Sequence, residues 1–405
     1  MGWHGGAFER LDVSGDCGGL RWCTGSVPRM SVPATMRQIR SLVTAEGRIE
    51  VRLAEVPVPT PGPDEVLLRV EATPINPSDL GTLFGAADLD ALRVDGPDVV
   101  SAPVPPAGMT AMAARIGSAL VVGNEGAGTV VAAGSSTRAR ALLGRTVAAF
   151  GGGMYAEYRC VPVDACLELP EGTPARDGAS CFVNPLTALG MVETMRLEGH
   201  RALVHTAAAS NLGRMLVRIC AADGVPLVNV VRSPAQVAEL SALGAVHVCD
   251  SSAPTYVEDL TAALVATGAT IAFDAIGGGR GAARILGCME ASVLARGDGA
   301  FERYGSTVHK QVYLYGNLDP APTEIPRSFG MAWGMGGWLL MPFLDRVGPT
   351  VAAALRARVV AELTTTFHSE YRAAIDLAGM LDPVAIDAYR RRSTGAKYLV
   401  EPAAV

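Results

Sequence analysis

The chain has 405 residues, 49 % of them apolar and 18 % charged, with 34 Lys and Arg against 40 Asp and Glu for a formal net charge of -6. That length favours two domains, at roughly 100–200 residues each, and the high apolar fraction with low charge excludes disorder of the chain as a whole. A mildly acidic chain without a basic stripe is a poor partner for nucleic acid, and it lacks the polybasic segments that hold proteins on anionic membranes.

No apolar run reaches the ~18–20 residues that span a bilayer. The first residues show no positive segment followed by an apolar one, so no secretory signal is expected and the cytoplasm is the expected location. Eight cysteines stand at 17, 23, 160, 166, 181, 220, 249 and 288. They contain no Cys-x-x-Cys pair and read as reduced thiols, with no metal site expected from their spacing.

Residues 1–35 are glycine-rich and aperiodic and read as a disordered N-terminal extension. Alternation then predicts strands at 36–43, 50–55 and 65–72, the last following prolines at 57, 59, 61 and 63 that enforce extended chain. The stretch 85–118 reads as a variable loop. Segment 118–134 reads as strand, glycine turn, strand, and 144–150 and 155–162 add two more. The texture changes at Pro185. Helix 185–198, strand 202–207, helix 210–224, strand 226–232, helix 234–244, strand 247–251, helix 255–268, strand 270–278, helix 282–291 and strand 310–316 follow in turn. Such alternation specifies a parallel sheet wrapped by helices. Beyond an apolar segment at 333–344, the tail reads as helix 349–362, strand 363–367, a helix around 371–381 and a last strand at 396–400.

Parallel sheets bind ligands at the carboxyl ends of their strands. The first parallel strand runs into Ala207-Ala208-Ala209-Ser210-Asn211-Leu212-Gly213. A G-x-G-x-x-G turn would place glycines at 208, 210 and 213; this chain has Ala208, Ser210 and Gly213. Small residues still permit a backbone cradle for a pyrophosphate at the helix start. The alternative is an ordinary strand-to-helix turn. The next strand ends in Arg232-Ser233, 19 residues past Gly213. An NAD site would place a carboxylate there, whereas a cation and a hydroxyl suit the 2′-phosphate of NADPH. A solvated arginine is the plainer alternative. The same rule brings Gly277, at the end of the fourth strand, and Gly316-Asn317, after the fifth, into the crevice.

These residues in this order resemble the medium-chain dehydrogenase/reductase superfamily, from about Met36 to Pro402. The resemblance is carried by VRLAEVPVPTPGPDEVLLRVEATPINPSDL, GNEGAGTVVAAG, NPLTALGMVE, FDAIGG and STGAKYLVEP. Zinc-free quinone oxidoreductases and 2-enoyl thioester reductases are the most similar members. The resemblance implies an α/β chain with a GroES-like β-rich catalytic domain, 36–180 with 335–405, plus a Rossmann doubly wound parallel sheet that binds NADPH, 181–334. Zinc members carry a Cys near the Asn76–Asp79 turn and a Gly-His-Glu motif downstream; this chain has PINPSD, with no Cys, and Gly123-Asn124-Glu125, and Asn is a poor zinc ligand. The tyrosine that enoyl thioester reductases carry after NPSD is absent here.

The resemblance further implies hydride transfer to a small-molecule quinone or enone. Two alternatives stand beside it: a 2-enoyl thioester reductase, or a non-catalytic NADPH-binding protein. Asn76 is the first candidate for stabilising the developing oxyanion, or else an Asx cap. Tyr155 is the candidate proton donor, or else a buried tyrosine with a satisfied hydroxyl. Thr187 is expected beside the nicotinamide amide, or is a buried helix threonine. Lys397 is read as a phosphate contact or a surface charge, and His205 as a core histidine. Relatives pair Rossmann domains edge to edge, so a homodimer is expected, with 333–344 as its contact.

Overall fold

The structure is a computed structural model that describes residues 32–297, 303–391 and 397–402. Most of the expected extension, residues 1–31, lies outside the described residues.

The first half is built on two antiparallel sheets. Thr35–Val43 and Arg48–Pro57 pair as a hairpin, with Val99–Pro103 against the second strand and Ala119–Val121 against the first. In the first strand the buried set changes face, from Met36 and Gln38 to Ile39, Ser41 and Val43. The second sheet centres on Glu65–Pro74, flanked by Glu125–Ala133 and Tyr158–Pro162. The stretch 85–118, expected to be a loop, carries strands Arg93–Gly96 and Val99–Pro103 and the short helix Pro106–Ala111. These elements are only four to six residues long and broken by Pro and Gly. Tertiary burial of Val100 and Ala102 stabilises them where local periodicity could not.

The second half is a six-stranded parallel sheet. In chain order its strands are Leu203–Thr206, Leu227–Val231, His247–Asp250, Ile271–Asp274, Lys310–Leu314 and Trp333–Gly337. In space they run 3-2-1-4-5-6, so the order reverses between the first and fourth. Helices cover both faces. On one, Leu260, Leu264, Ile285, Leu286 and Met289 pack on Val204, Val228 and Val312. On the other, Leu186, Leu189, Leu216, Ile219 and Leu355 pack around Phe273 and Trp338. Each such side chain, fully buried, contributes about 1.5–3 kcal/mol.

The segment 333–344 enters this layer. Its first residues are the edge strand, and Trp338 is buried with its indole N–H on Thr194 Oγ1 at 3.0 Å. Leu340–Ala361 is broken at Gly348 (φ 78°), ahead of Pro349, and packs on the helix Val183–Leu197. The chain therefore crosses back to the first half after this helix and not at 335. Residues 363–367, expected to be a strand, form a turn, and 371–381 holds strand Ala373–Ile375 and a 3-10 turn at Gly379–Leu381 in place of a helix. Pairing with Tyr398–Val400 decides this, since ladder bonds to a distant strand outweigh local helix propensity. Tyr398–Val400 in turn pairs antiparallel with Glu65–Pro74, Leu399 opposite Pro74, which delivers Lys397 to the turn that begins at Asn76.

Candidate active site

Two groups of residues meet where the halves adjoin. The first lies at the carboxyl ends of the parallel strands. Leu203–Thr206 ends at Ala207, which adopts φ 51° and is the sole non-glycine with positive φ among the described residues. Such strain is held only where surrounding structure over-determines it. The helix Asn211–Asp223 starts immediately after, with Ser210 Oγ accepting the Gly213 N–H at 3.1 Å. A Cβ on Gly213 would lie 2.1 Å from the Ala208 carbonyl oxygen, so glycine is required for the helix to approach the turn this closely. The Asn211 and Leu212 N–H groups head the helix, where no intrahelical acceptor exists. Across the switch point, Thr206 Oγ1 donates to Asp274 Oδ1 at 2.6 Å and accepts the Ala275 N–H at 2.8 Å. Asp274 also takes the Ile276 and Gly277 N–H groups, which shapes the turn after the fourth strand. A Cβ on Gly316 would come within 2.6 Å of the Ala275 oxygen, so this turn and the one after the fifth strand touch backbone to backbone.

The second group is a polar cluster walled by the first half. Asn76 caps the helix Pro77–Leu83; its N–H goes to Asp79 Oδ2 at 2.8 Å and its Nδ2 to Glu125 Oε1 at 2.9 Å. Asp79 Oδ1 accepts the Asn124 N–H at 2.9 Å. Glu125 Oε2 accepts the Phe182 and Val183 N–H groups, both at 2.9 Å, and so anchors the start of the helix Val183–Leu197. Lys397 Nζ donates to Ser180 Oγ at 2.8 Å, and Ser180 Oγ shares a 2.8 Å hydrogen bond with the Tyr371 hydroxyl. Burial pushes the Asp79 carboxyl up to about 7, against the pull of the Asn76 and Asn124 N–H groups and with help from the Glu125 charge. Burial likewise lowers Lys397 to about 8, although the Glu125 and Asp79 carboxylates oppose it. One segment joins the two groups: Ser369 Oγ accepts from Asn211 Nδ2 at 3.1 Å, and Tyr371 lies two residues on.

The Alcohol dehydrogenase GroES-like domain family matches residues 62–171, the stretch that carries Asn76, Asp79 and Glu125. The crystal structure of a proposed NADPH:quinone reductase from Mesorhizobium loti is similar over 92 % of this chain and all of its own, at 25 % identity and a TM-score of 0.68. Together these likenesses support the resemblance to the medium-chain dehydrogenase/reductase superfamily. Among curated relatives, the mitochondrial enoyl-[acyl-carrier-protein] reductase of Caenorhabditis elegans is 27 % identical over 49 % of this chain and 52 % of its own. Prostaglandin reductase-3 of Mus musculus is 30 % identical over 47 % of this chain and 44 % of its own. The chain spans about half the length of the curated relatives it matches.

The carboxyl ends of the parallel strands gather most of the residues singled out from sequence. Ala208, Ser210, Asn211, Leu212 and Gly213 form the first turn, and Gly277 and Gly316-Asn317 the turns after the fourth and fifth strands. Arg232 is exposed at the end of the second strand, and Ser233 caps the following helix with its Oγ toward the Gln236 N–H. Thr187 is buried on the second turn of the helix that Glu125 anchors. His205 is a core residue: fully buried, 2.7 Å from the Tyr315 hydroxyl, and lowered to about 3 by burial.

Two expectations are corrected. Tyr155 is 0 % exposed and donates its hydroxyl to the Pro74 carbonyl at 3.1 Å, which matches the alternative of a buried tyrosine with a satisfied hydroxyl. Lys397 is not at the phosphate turn, because its ammonium points to Ser180 inside the polar cluster. Asn76 is narrowed: at 1 % exposure, with an amide N–H committed to Glu125, it shapes the turn before anything else. Sequence reasoning missed Asp274, Ser180 and Tyr371. Asp274 left a signal, an acid closing an apolar strand before a glycine turn; the other two left none, since their partners are 191 residues apart.

Proposed function

We propose that the protein is an NADPH-dependent reductase that reduces quinones or activated carbon–carbon double bonds without zinc. The supporting observation is the meeting of the two groups through residues 369–371, which sets a dinucleotide turn beside a polar cluster rich in amide and hydroxyl groups. The residues fit the cofactor. The Gly213 and Gly316 contacts leave backbone where a side chain would stand, the first-turn N–H groups suit a pyrophosphate, and Arg232 suits a 2′-phosphate. When bound, the reduced nicotinamide supplies hydride. The chain's own task is then to orient an electrophile and stabilise its developing oxyanion with neutral donors, while Asn76 holds the turn beside them. Asn124 stands where the resemblance places the His of zinc members, and the turn at Asn76 carries no Cys, which supports a reaction without zinc.

Residues 36–180 with the chain's end serve as the catalytic half, and the parallel-sheet residues as the cofactor half. A 2-enoyl thioester is the second substrate class, favoured by the enoyl reductases among the relatives. The edge strand Trp333–Gly337, with Leu339 67 % and Met341 45 % exposed beside it, supports a homodimer built edge to edge. The six described cysteines are all free, which suits a reducing compartment such as the cytoplasm; among the described residues no helix is long and apolar enough to cross a membrane. Calorimetric titration with NADPH and NADH, followed by a quinone, enone and enoyl-thioester screen, tests the reading. Tight NADPH with weak NADH and turnover of one class supports it. Binding without any turnover would leave a non-catalytic NADPH-binding protein.

A further inference from the structure

The hydroxyl pair Tyr371–Ser180 and the ammonium of Lys397 form a continuous chain of two 2.8 Å hydrogen bonds. We propose that Tyr371 is the proton donor of the reduction and that Ser180 and Lys397 are the relay that recharges it. The assignment rests on the reductase reading above.

Tyr371 lies between the two groups. Its segment spans the two groups: Ser369 bonds Asn211 at the head of the cofactor helix, Glu370 pairs with Arg214 in that helix's first turn, and the Arg372 N–H bonds the Lys397 carbonyl. Tyr371 itself is half-buried, with the Arg176 guanidinium 5.6 Å from its ring centroid. The charged and titratable groups facing the pair are Glu125, Asp79, Cys181 and Arg176. Burial raises the Tyr371 hydroxyl, so it stays protonated across neutral pH; Arg176 favours the phenolate formed when the proton leaves.

The chain's use of basic residues supports a transferable proton at Lys397. Of its 34 basic residues 32 are arginine, and the two lysines are Lys310 and Lys397. Arginine keeps its proton at any working pH, whereas a buried lysine can release one. The balance closes. With a reduced nicotinamide bound, its hydride would add two electrons and one hydrogen at the β-carbon of the enone, leaving an enolate. The α-carbon takes a proton from Tyr371, Tyr371 takes one from Ser180, and Ser180 takes one from Lys397. Lys397 ends as a neutral amine and recovers its proton from water.

The test combines lysine-selective NMR with kinetics. With two lysines, 15N-lysine labelling gives two signals, and Lys397→Gln assigns them. The expected result is that Lys397 titrates near 8 in the free protein and that its midpoint moves in Tyr371→Phe and in Ser180→Ala. Tyr371→Phe should lower kcat for the best electrophile about 100-fold, the scale of a lost general acid, with NADPH affinity changed less than about twofold. The parental rate should fall above about pH 8, and Ser180→Ala and Lys397→Gln should each abolish that alkaline limb. A Lys397 midpoint near its ordinary value of 10.5, or one indifferent to Tyr371 and Ser180, overturns the relay; so does an alkaline limb that survives in Lys397→Gln. If Tyr371→Phe fails to fold, Ser180→Ala and the parental lysine titration decide. A parental protein that binds NADPH but reduces nothing overturns the functional reading and the relay together, whereas turnover with an uncoupled Lys397 overturns the relay alone.

Discussion

The two lysines occupy opposite kinds of surroundings. Lys310, fully buried at the start of the fifth parallel strand, gives its three hydrogens to Glu290 Oε2 at 2.6 Å, Ser306 Oγ at 3.1 Å and the Val308 carbonyl at 2.9 Å. Glu290 is completed by the Ser306 N–H and hydroxyl. Every polar atom there is committed, and the cluster fastens the loop before the strand. Lys397 touches a neutral hydroxyl, with the carboxylates of Glu125 and Asp79 acting from beyond hydrogen-bond range. A charge matched by a contacting carboxylate fixes backbone, while a charge held by a hydroxyl in a buried site is easily given up. The start of the fifth parallel strand uses the first arrangement and the polar cluster the second.

The largest effect is expected from removing the counter-charge of Lys310. Glu290→Ala strands the Lys310 ammonium and should cost about 3–5 kcal/mol in urea unfolding, while NADPH affinity in the surviving folded fraction stays unchanged. Lys397→Gln should cost only about 0.5–1.5 kcal/mol, one hydrogen bond's worth. Equal costs for the two would show that the clusters do the same job.

Gly213→Ala comes next. Its methyl must displace the Ala208 carbonyl, with an expected cost of about 1–3 kcal/mol that appears in NADPH affinity by calorimetry and in the melting temperature. Arg232→Ala should weaken NADPH about tenfold, or about 1.4 kcal/mol, and leave NADH unchanged; equal losses for both cofactors would move the 2′-phosphate contact elsewhere.

A smaller effect is visible in pH. Asp79, raised from 3.8 to about 7, binds more proton folded than unfolded across that window, so its contribution to stability falls as pH rises through it. His205, lowered from 6.5 to about 3, binds less, so its contribution falls as pH drops through that window. The two oppose one another between about pH 4 and 6.5. Asp79→Asn should therefore steepen the acid-side loss of stability measured by urea unfolding, and a slope that flattens instead would put the titration on another group. The smallest change is Arg138→Ala, whose ion pair with Asp164 is exposed on both sides; a shift below about 0.5 kcal/mol is expected.

Much of the parallel-sheet half was legible in the sequence, because strands and helices with distinct periods alternate and each buries a continuous apolar face. Gly213 and the Arg232-Ser233 strand end could be placed for the same reason, at fixed distances from a readable strand. Residues 371–381 were illegible: Ala373–Ile375 has helix-compatible residues and becomes a strand only through Tyr398–Val400. Tyr155 misled because a tyrosine after three glycines looks accessible, and only the packing around Pro74 shows its hydroxyl spent.

The order of layers, the glycine turn at Gly213 and the Asn-containing turns at Asn76 and Asn124 could all be read from local pattern and residue chemistry. The tertiary structure alone decided which polar groups share a site. Glu125 with Phe182, Ser180 with Tyr371 and Lys397 with Ser180 lie 57, 191 and 217 residues apart. A hydrogen bond over such a separation leaves no periodicity to read; it exists because Tyr398–Val400 closes onto Glu65–Pro74 and carries the chain's end back to its beginning.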